Sequence, residues 1–94
     1  MTSLPTEIGG LTGLTELNLN DNQLTSLPTE IGALMGLREL ILKKNQLKSL
    51  PSEIGALTGL TKLDLRYNHL VSPLPLAVET WIVNLGTAGC SVYR

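Results

Sequence analysis

Cysteine is almost missing from this chain of 94 residues: Cys90 is the only one, so no intramolecular disulfide can form. A small scaffold stapled for an oxidising environment is thereby excluded, and a reducing, intracellular and cytoplasmic setting is expected. Charge of one sign is equally scarce. Seven Lys and Arg against eight Asp and Glu give a net charge of -1 and a pI near 5.7. Such a chain has no global basic field, which argues against a dedicated nucleic-acid binder. No apolar run approaches the roughly 18 residues of a membrane span. The opening MTSLPTEIGG also lacks the basic start and apolar stretch of a secretory leader. No membrane association is expected. One histidine and one cysteine cannot assemble a metal centre unless carboxylates converge with them, so neither a metal nor a cofactor is implied.

What the chain does have is a repeat. LPTEIG occurs at Leu4 to Gly9 and at Leu27 to Gly32, and returns as LPSEIG at Leu50 to Gly55. The same step links Leu11, Leu34 and Leu57, then Leu14, Leu37 and Leu60. It carries on through Leu17, Leu40 and Leu63, Leu19, Leu42 and Leu65, Asn22, Asn45 and Asn68, and Leu24, Leu47 and Leu70. Self-similarity at a fixed period of this length signals a solenoid. The repeats occupy approximately residues 4–26, 27–49 and 50–72, and residues 73–94 depart from them, all within a single domain spanning 1–94.

Each repeat reads as a strand, a turn and a short helix. In LTELNL the leucines alternate with polar residues, the period of a half-buried strand. The asparagine sits where the chain leaves the strand, where its amide can satisfy backbone groups of its own and the next repeat. Pro5, Pro28 and Pro51 suit the first position of a short helix, with Glu7, Glu30 and Glu53 beside the positive end of its dipole. Ile8, Leu11 and Leu14 and their counterparts then face inward. The recurrent glycines do not end a strand ahead of Lys-Ser or Lys-Thr, so they are no phosphate loop. Their role is close stacking of neighbouring repeats.

The segments LTELNLNDNQL, LRELILKKNQL and LTKLDLRYNHL resemble the leucine-rich repeat family. The linking pattern LPxEIGxLxGL is similar to that of its 23-residue class, found in intracellular Ras-scaffold, plant Ras-group, microbial and algal proteins. The resemblance implies an α/β solenoid: a short right-handed array with a parallel sheet on its concave side and short helices on its convex side. In residues 73–94, Val78, Trp81, Ile82 and Leu85 recur at helical spacing, Gly86 is placed to end the helix, and CSVYR alternates as a last strand. This helix–strand unit is expected to cap the open apolar end of the stack, with Trp81 and Cys90 in its interior.

No such cap precedes the first repeat, where Met1 stands at a repeat-leucine place. The edge strand should therefore expose Leu17 and Leu19. A piece of a longer array, a consensus-derived origin, or a homodimer in which two N-terminal ends meet about a two-fold axis would each account for that edge.

The family resemblance places partner binding on the outward strand positions. These are Glu16, Asn18, Asn20 and Asp21, then Glu39, Ile41, Lys43 and Lys44, then Lys62, Asp64, Arg66 and Tyr67. Acidic character at one end gives way to basic character at the other, and Ile41, Arg66 and Tyr67 have the chemistry of a protein-binding hot spot. Three strands about 4.8 Å apart make a small face. Catalysis finds no footing: His69 takes the repeat place of Gln23 and Gln46, apart from Cys90 and from any carboxylate pair. The expected function is a non-catalytic protein-interaction module. The alternatives are a structural unit that self-associates through its N-terminal edge and a scaffold or regulator of a small-GTPase pathway.

Overall fold

The computed structural model describes residues 3–71 and 73–94. The expected places of Met1 and Ser72 in the repeat lie outside the described residues. Three short strands, β1 (Glu16–Asn18), β2 (Glu39–Ile41) and β3 (Lys62–Asp64), come one from each repeat. A fourth, β4 (Ser91–Tyr93), follows the one α-helix among the described residues, α1 (Leu76–Thr87). All four pair in parallel in the order β1-β2-β3-β4. The register aligns Leu17, Leu40, Leu63 and Val92 in one row, so equal repeat positions stack directly on one another. The chain is thus a leucine-rich α/β solenoid with the sheet on one side and short helices on the other.

Those short helices are 3-10 turns: η1 (Thr6–Gly10), η2 (Thr29–Ala33) and η3 (Ser52–Ala56). Each proline stands one residue before its helix, as the N-cap, and not at the first helical position expected for it. Pro28 has φ -70 and ψ 155, so it delivers the chain in extended form while its carbonyl accepts the first helical bond, from the Ile31 N–H at 3.1 Å. The glutamates do fall in the first turn of each helix. Five residues tightened by i→i+3 bonds present few side chains, which is why one isoleucine per helix supplies the buried contact.

Neighbouring helices approach closely through glycine. A Cβ added at Gly32 would lie 2.5 Å from the Glu53 carbonyl oxygen, whereas at Gly55, beyond which no fourth repeat packs, it would meet nothing within 4 Å. Gly32 therefore sets the distance between η2 and η3.

The core is a column of leucines between sheet and helices. Leu34, Leu40, Leu42, Leu57 and Leu63 are fully buried. The first repeat differs: Leu11 is 53% exposed, against 0% for its counterparts Leu34 and Leu57, and Leu14 and Leu17 are half-buried. Leu11 thus departs from the inward placement expected of it. Leu19 departs in the other direction and is buried, because the turn of the second repeat closes over it: the Asn45 amide donates to the Leu19 carbonyl at 2.9 Å.

At the far end α1 buries Val78, Trp81, Ile82 and Leu85 against the third repeat, and the indole N–H of Trp81 donates to the Leu57 carbonyl at 2.9 Å. Trp81 and Cys90 are both interior, as the sequence suggests. Gly86, however, does not end the helix. The helix continues through Thr87, and Gly89, with φ 101, makes the turn. A left-handed backbone is needed there to swing the chain into β4, and glycine adopts it without steric cost.

Candidate functional site

The asparagines anchor the turns from which the outward side chains project. Asn45 is buried, and its Oδ1 accepts the N–H groups of Asn22 at 3.1 Å and Leu24 at 3.0 Å. Its Nδ2 donates to the carbonyls of Leu19 and Leu42 at 2.9 and 3.0 Å. Asn68 repeats this, accepting from Leu47 at 3.1 Å and donating to Leu42 and Leu65 at 2.9 and 3.0 Å. Asn45 and Asn68 therefore reach their own repeat and the preceding one, not the next one as expected. The strand ends before the asparagine, so the preceding turn is the neighbour whose amides point towards it.

Directly before each asparagine, Asp21, Lys44 and Tyr67 have φ of 60, 61 and 59. These are turn residues in a left-handed conformation, and their side chains stand at the rim of the sheet and not in its strand rows. The sequence does not reveal this through glycine, the usual marker. Only the common position ahead of the asparagine points to it.

The outward strand rows are now explicit. Glu16, Glu39, Lys62 and Ser91 form one row, and Asn18, Ile41, Asp64 and Tyr93 the next. Beyond them stand Asn20, Lys43 and Arg66, one from each repeat. The face has four strands where three were expected, and β4 adds Tyr93, which the list of candidate positions lacks. Its signal lies in CSVYR, whose alternation puts Tyr93 outward once β4 is aligned with β3. Glu16, Asn18, Asn20, Lys44, Lys62 and Tyr67 are exposed, and Glu39, Ile41, Lys43 and Arg66 are half-buried. Asp64, expected as an open surface residue, is 3% exposed. Arg66 covers it.

That pair organises the basic end of the face. Arg66 Nε and Nη2 donate to the two Asp64 oxygens at 3.1 and 2.8 Å, and the Arg66 backbone N–H donates to Asp64 Oδ1 at 3.1 Å. The Arg66 side-chain bond above all holds the Asp64 carboxyl below its ordinary pKa, against the opposing effect of burial, and the pairing raises that of Arg66. The Arg66 guanidinium lies 4.9 Å from the centre of the Tyr93 ring, and Lys43 Nζ lies 5.6 Å from that of Tyr67. Two cations on two aromatic faces form one continuous patch.

Cys90 is buried at the entrance to β4, and that burial raises its pKa and keeps it a thiol. His69 is exposed in the turn after β3. Among the described residues no three His, Cys, Asp or Glu side chains come together as a metal site, and no helix is long and apolar enough to cross a membrane.

A family model described as leucine rich repeat matches residues 12–70, more than half of the chain. The chain belongs to the leucine-rich repeat family. It is also similar to the solved structure of a leucine-rich repeat protein of Leptospira interrogans, with 39% identity and a TM-score of 0.78. That likeness covers 99% of this chain and 22% of the Leptospira protein, so the chain spans about a fifth of that structure's length. No curated protein matches it. For a leucine-rich repeat chain the outward rows described above are surplus to the fold: they hold none of the leucines of the core.

Proposed function

We propose that the chain is a non-catalytic recognition module that binds a protein partner on the outward face of its four-stranded sheet. The observation that carries this reading is the coexistence, on one rigid face, of half-buried Ile41, the Arg66–Tyr93 stack and the Lys43–Tyr67 stack. An apolar centre flanked by aromatic and arginine side chains is the composition of protein-binding hot spots. Capture of partners from a cell extract by the parent chain, compared with an Ile41→Glu, Arg66→Ala, Tyr93→Ala variant of unchanged circular dichroism, tests it. Equal recovery of the same proteins by both would refute the reading.

One observation favours a second reading, self-association through the first repeat. Leu11 is 53% exposed, and Leu14 and Leu17 are half-buried, where the equivalent leucines of the second repeat are at most 1% exposed. A second copy placed about a two-fold axis covers these side chains on both molecules. Light scattering over a concentration series decides it: a monomer–dimer shift abolished in Leu11→Lys supports association, and a constant monomer mass excludes it. Regulation of a small GTPase finds no comparable observation.

A further inference from the structure

The basic end of the sheet continues over its rim into a cleft of about 330 Å³. Its floor and walls are Leu65, Leu70, Val71 and Leu74, and Tyr67 and Arg94 stand at its edge. Leu65 and Leu74 are buried beneath it, while Val71 is 54% exposed at its mouth. Tyr67 belongs to both features, since it lines the cleft and carries Lys43 on its ring. The lining is mixed, since Asn68 also belongs to it, and a recess of this volume, at the small end of ligand pockets, holds one bulky side chain against its leucines and not a large cofactor.

Charge determines what approaches it. Lys43 lies over the Tyr67 ring, Arg66 is its chain neighbour and Lys44 donates its backbone N–H to the Arg66 carbonyl at 3.0 Å, while the acidic group nearest them, Asp64, is already held by Arg66. Arg94, at the edge of the cleft, pairs with Glu79 of α1. The carboxylates of Glu16 and Asp21 lie on the first repeat, at the opposite end of the face, and Glu39 at the start of β2 is registered against Lys62. A negatively charged segment is therefore repelled from β1 and drawn to the β3 side, beside the recess.

We infer that this cleft is an anchor site for an acidic protein segment carrying a bulky apolar residue. The acidic side chains lie on Lys43, Lys44 and Arg66, and the apolar side chain enters between Leu70, Val71 and Leu74. The inference rests on the concave-face reading and extends it by naming the partner's chemistry and a second point of contact. The charged part supplies orientation and encounter rate; the apolar part, desolvated in the cleft, supplies residence time.

The test titrates the isotopically labelled full chain with an acetylated, amidated peptide Gly-Glu-Asp-Glu-Leu-Gly while amide resonances are followed. A twin peptide has Ser in place of Leu. The expected result is shifts at Lys43, Arg66, Leu70 and Val71, with the Ser twin bound about fivefold more weakly or worse. Val71→Gln, an exposed change outside the core, weakens the Leu peptide about threefold and leaves the twin unchanged, while Lys43→Glu weakens both. Equal binding of the two peptides, or an unaltered Val71→Gln, overturns the anchor and leaves the sheet-face reading standing. No shifts at about 1 mM peptide overturns the acidic partner as well, and partner capture with the Ile41 variant then decides the sheet-face reading by itself.

Discussion

Replacing the three repeat asparagines by alanine, one at a time, should produce three different losses of stability from one chemical change. Asn45→Ala removes the acceptor of the buried Leu24 N–H and the donor to the Leu19 carbonyl. It also frees the Asn22 N–H, which is less enclosed. The Leu42 carbonyl keeps a partner, because Asn68 also donates to it at 2.9 Å. Two buried groups left unpaired at about 1–3 kcal/mol each, reduced by partial entry of water, give a loss of about 3 kcal/mol. Asn68→Ala likewise strands two groups, the Leu47 N–H and the Leu65 carbonyl, but both bonds lie in part-buried surroundings that water reaches, and Asn45 still serves Leu42, so about 1–2 kcal/mol is expected. Among the described residues Asn22 makes one exposed side-chain bond, to the Asn20 carbonyl at 3.4 Å, and its replacement should cost under about 0.5 kcal/mol. Against a total stability of about 5–14 kcal/mol for 94 residues, Asn45→Ala alone is a large fraction. Urea unfolding at equal protein concentration reads all three. Equal losses at the three positions, or a loss at Asn22 matching that at Asn45, would refute the account of the ladder.

The glycine column should split in the same way. Gly32→Ala, facing the Glu53 carbonyl at 2.5 Å, must push η3 away and cost about 1–3 kcal/mol, while Gly55→Ala, with open space around it, should be neutral or stabilising by up to about 1 kcal/mol in thermal melts. Lys44→Gly relieves a left-handed residue with φ 61 and should raise stability by about 0.5–1 kcal/mol; a loss would mean that the lysine side chain outweighs the strain. The folded-state pKa of Asp64 lies below its ordinary value of 3.8, so its contribution is fully present above that pH and disappears as pH falls through the lowered value. Acid titration of stability should therefore be steeper below pH 3.8 in the parent than in Asp64→Asn, and identical slopes would exclude the linkage. Deletion from Leu76 onward bares the apolar flank that α1 covers, and aggregation or a broad melt is expected; a sharp monomeric melt would count against the cap.

How much of this was legible beforehand depended on what each feature is made of. The leucine columns and the strand alternation are periodic, so they specify the sheet, its parallel order and the buried faces directly. The helix of the cap was visible for the same reason, through Val78, Trp81, Ile82 and Leu85. Features set by backbone detail were not. Gly86 and Gly89 are both plausible helix stops in sequence, and only the geometry of the turn into β4 selects Gly89. The direction in which Asn45 reaches is a tertiary fact, because its amides lie between two turns that are equivalent by sequence. Asp64 reads as a surface residue until Arg66 folds over it, and Tyr93 joins the sheet face only when β4 is registered against β3.

The repeats also act as an internal control on one another. Their leucines, isoleucines, helix-capping prolines and asparagines are the same at matching positions, so those columns state what the solenoid needs in order to stack. The outward columns are free of that demand, yet they diverge sharply: Asn18, Ile41 and Asp64 in one row, and Asn20, Lys43 and Arg66 in another. A surface kept only for solvation could repeat a polar residue as faithfully as the core repeats leucine. Here instead the row positions exchange amide, apolar and carboxylate groups, and the largest departures fall where Arg66 lies over Tyr93 and Lys43 over Tyr67. A half-buried Ile41 in a strand face costs solubility without adding to the core. Its place beside those stacked cations is consistent with selection for contact. If so, making the rows uniform, with Ile41→Asn, Asp64→Asn, Lys43→Asn and Arg66→Asn, removes the Asp64–Arg66 pair as a whole without stranding a buried carboxylate, and should leave a cooperative melting transition while removing partner capture altogether; retained capture would place recognition on another face.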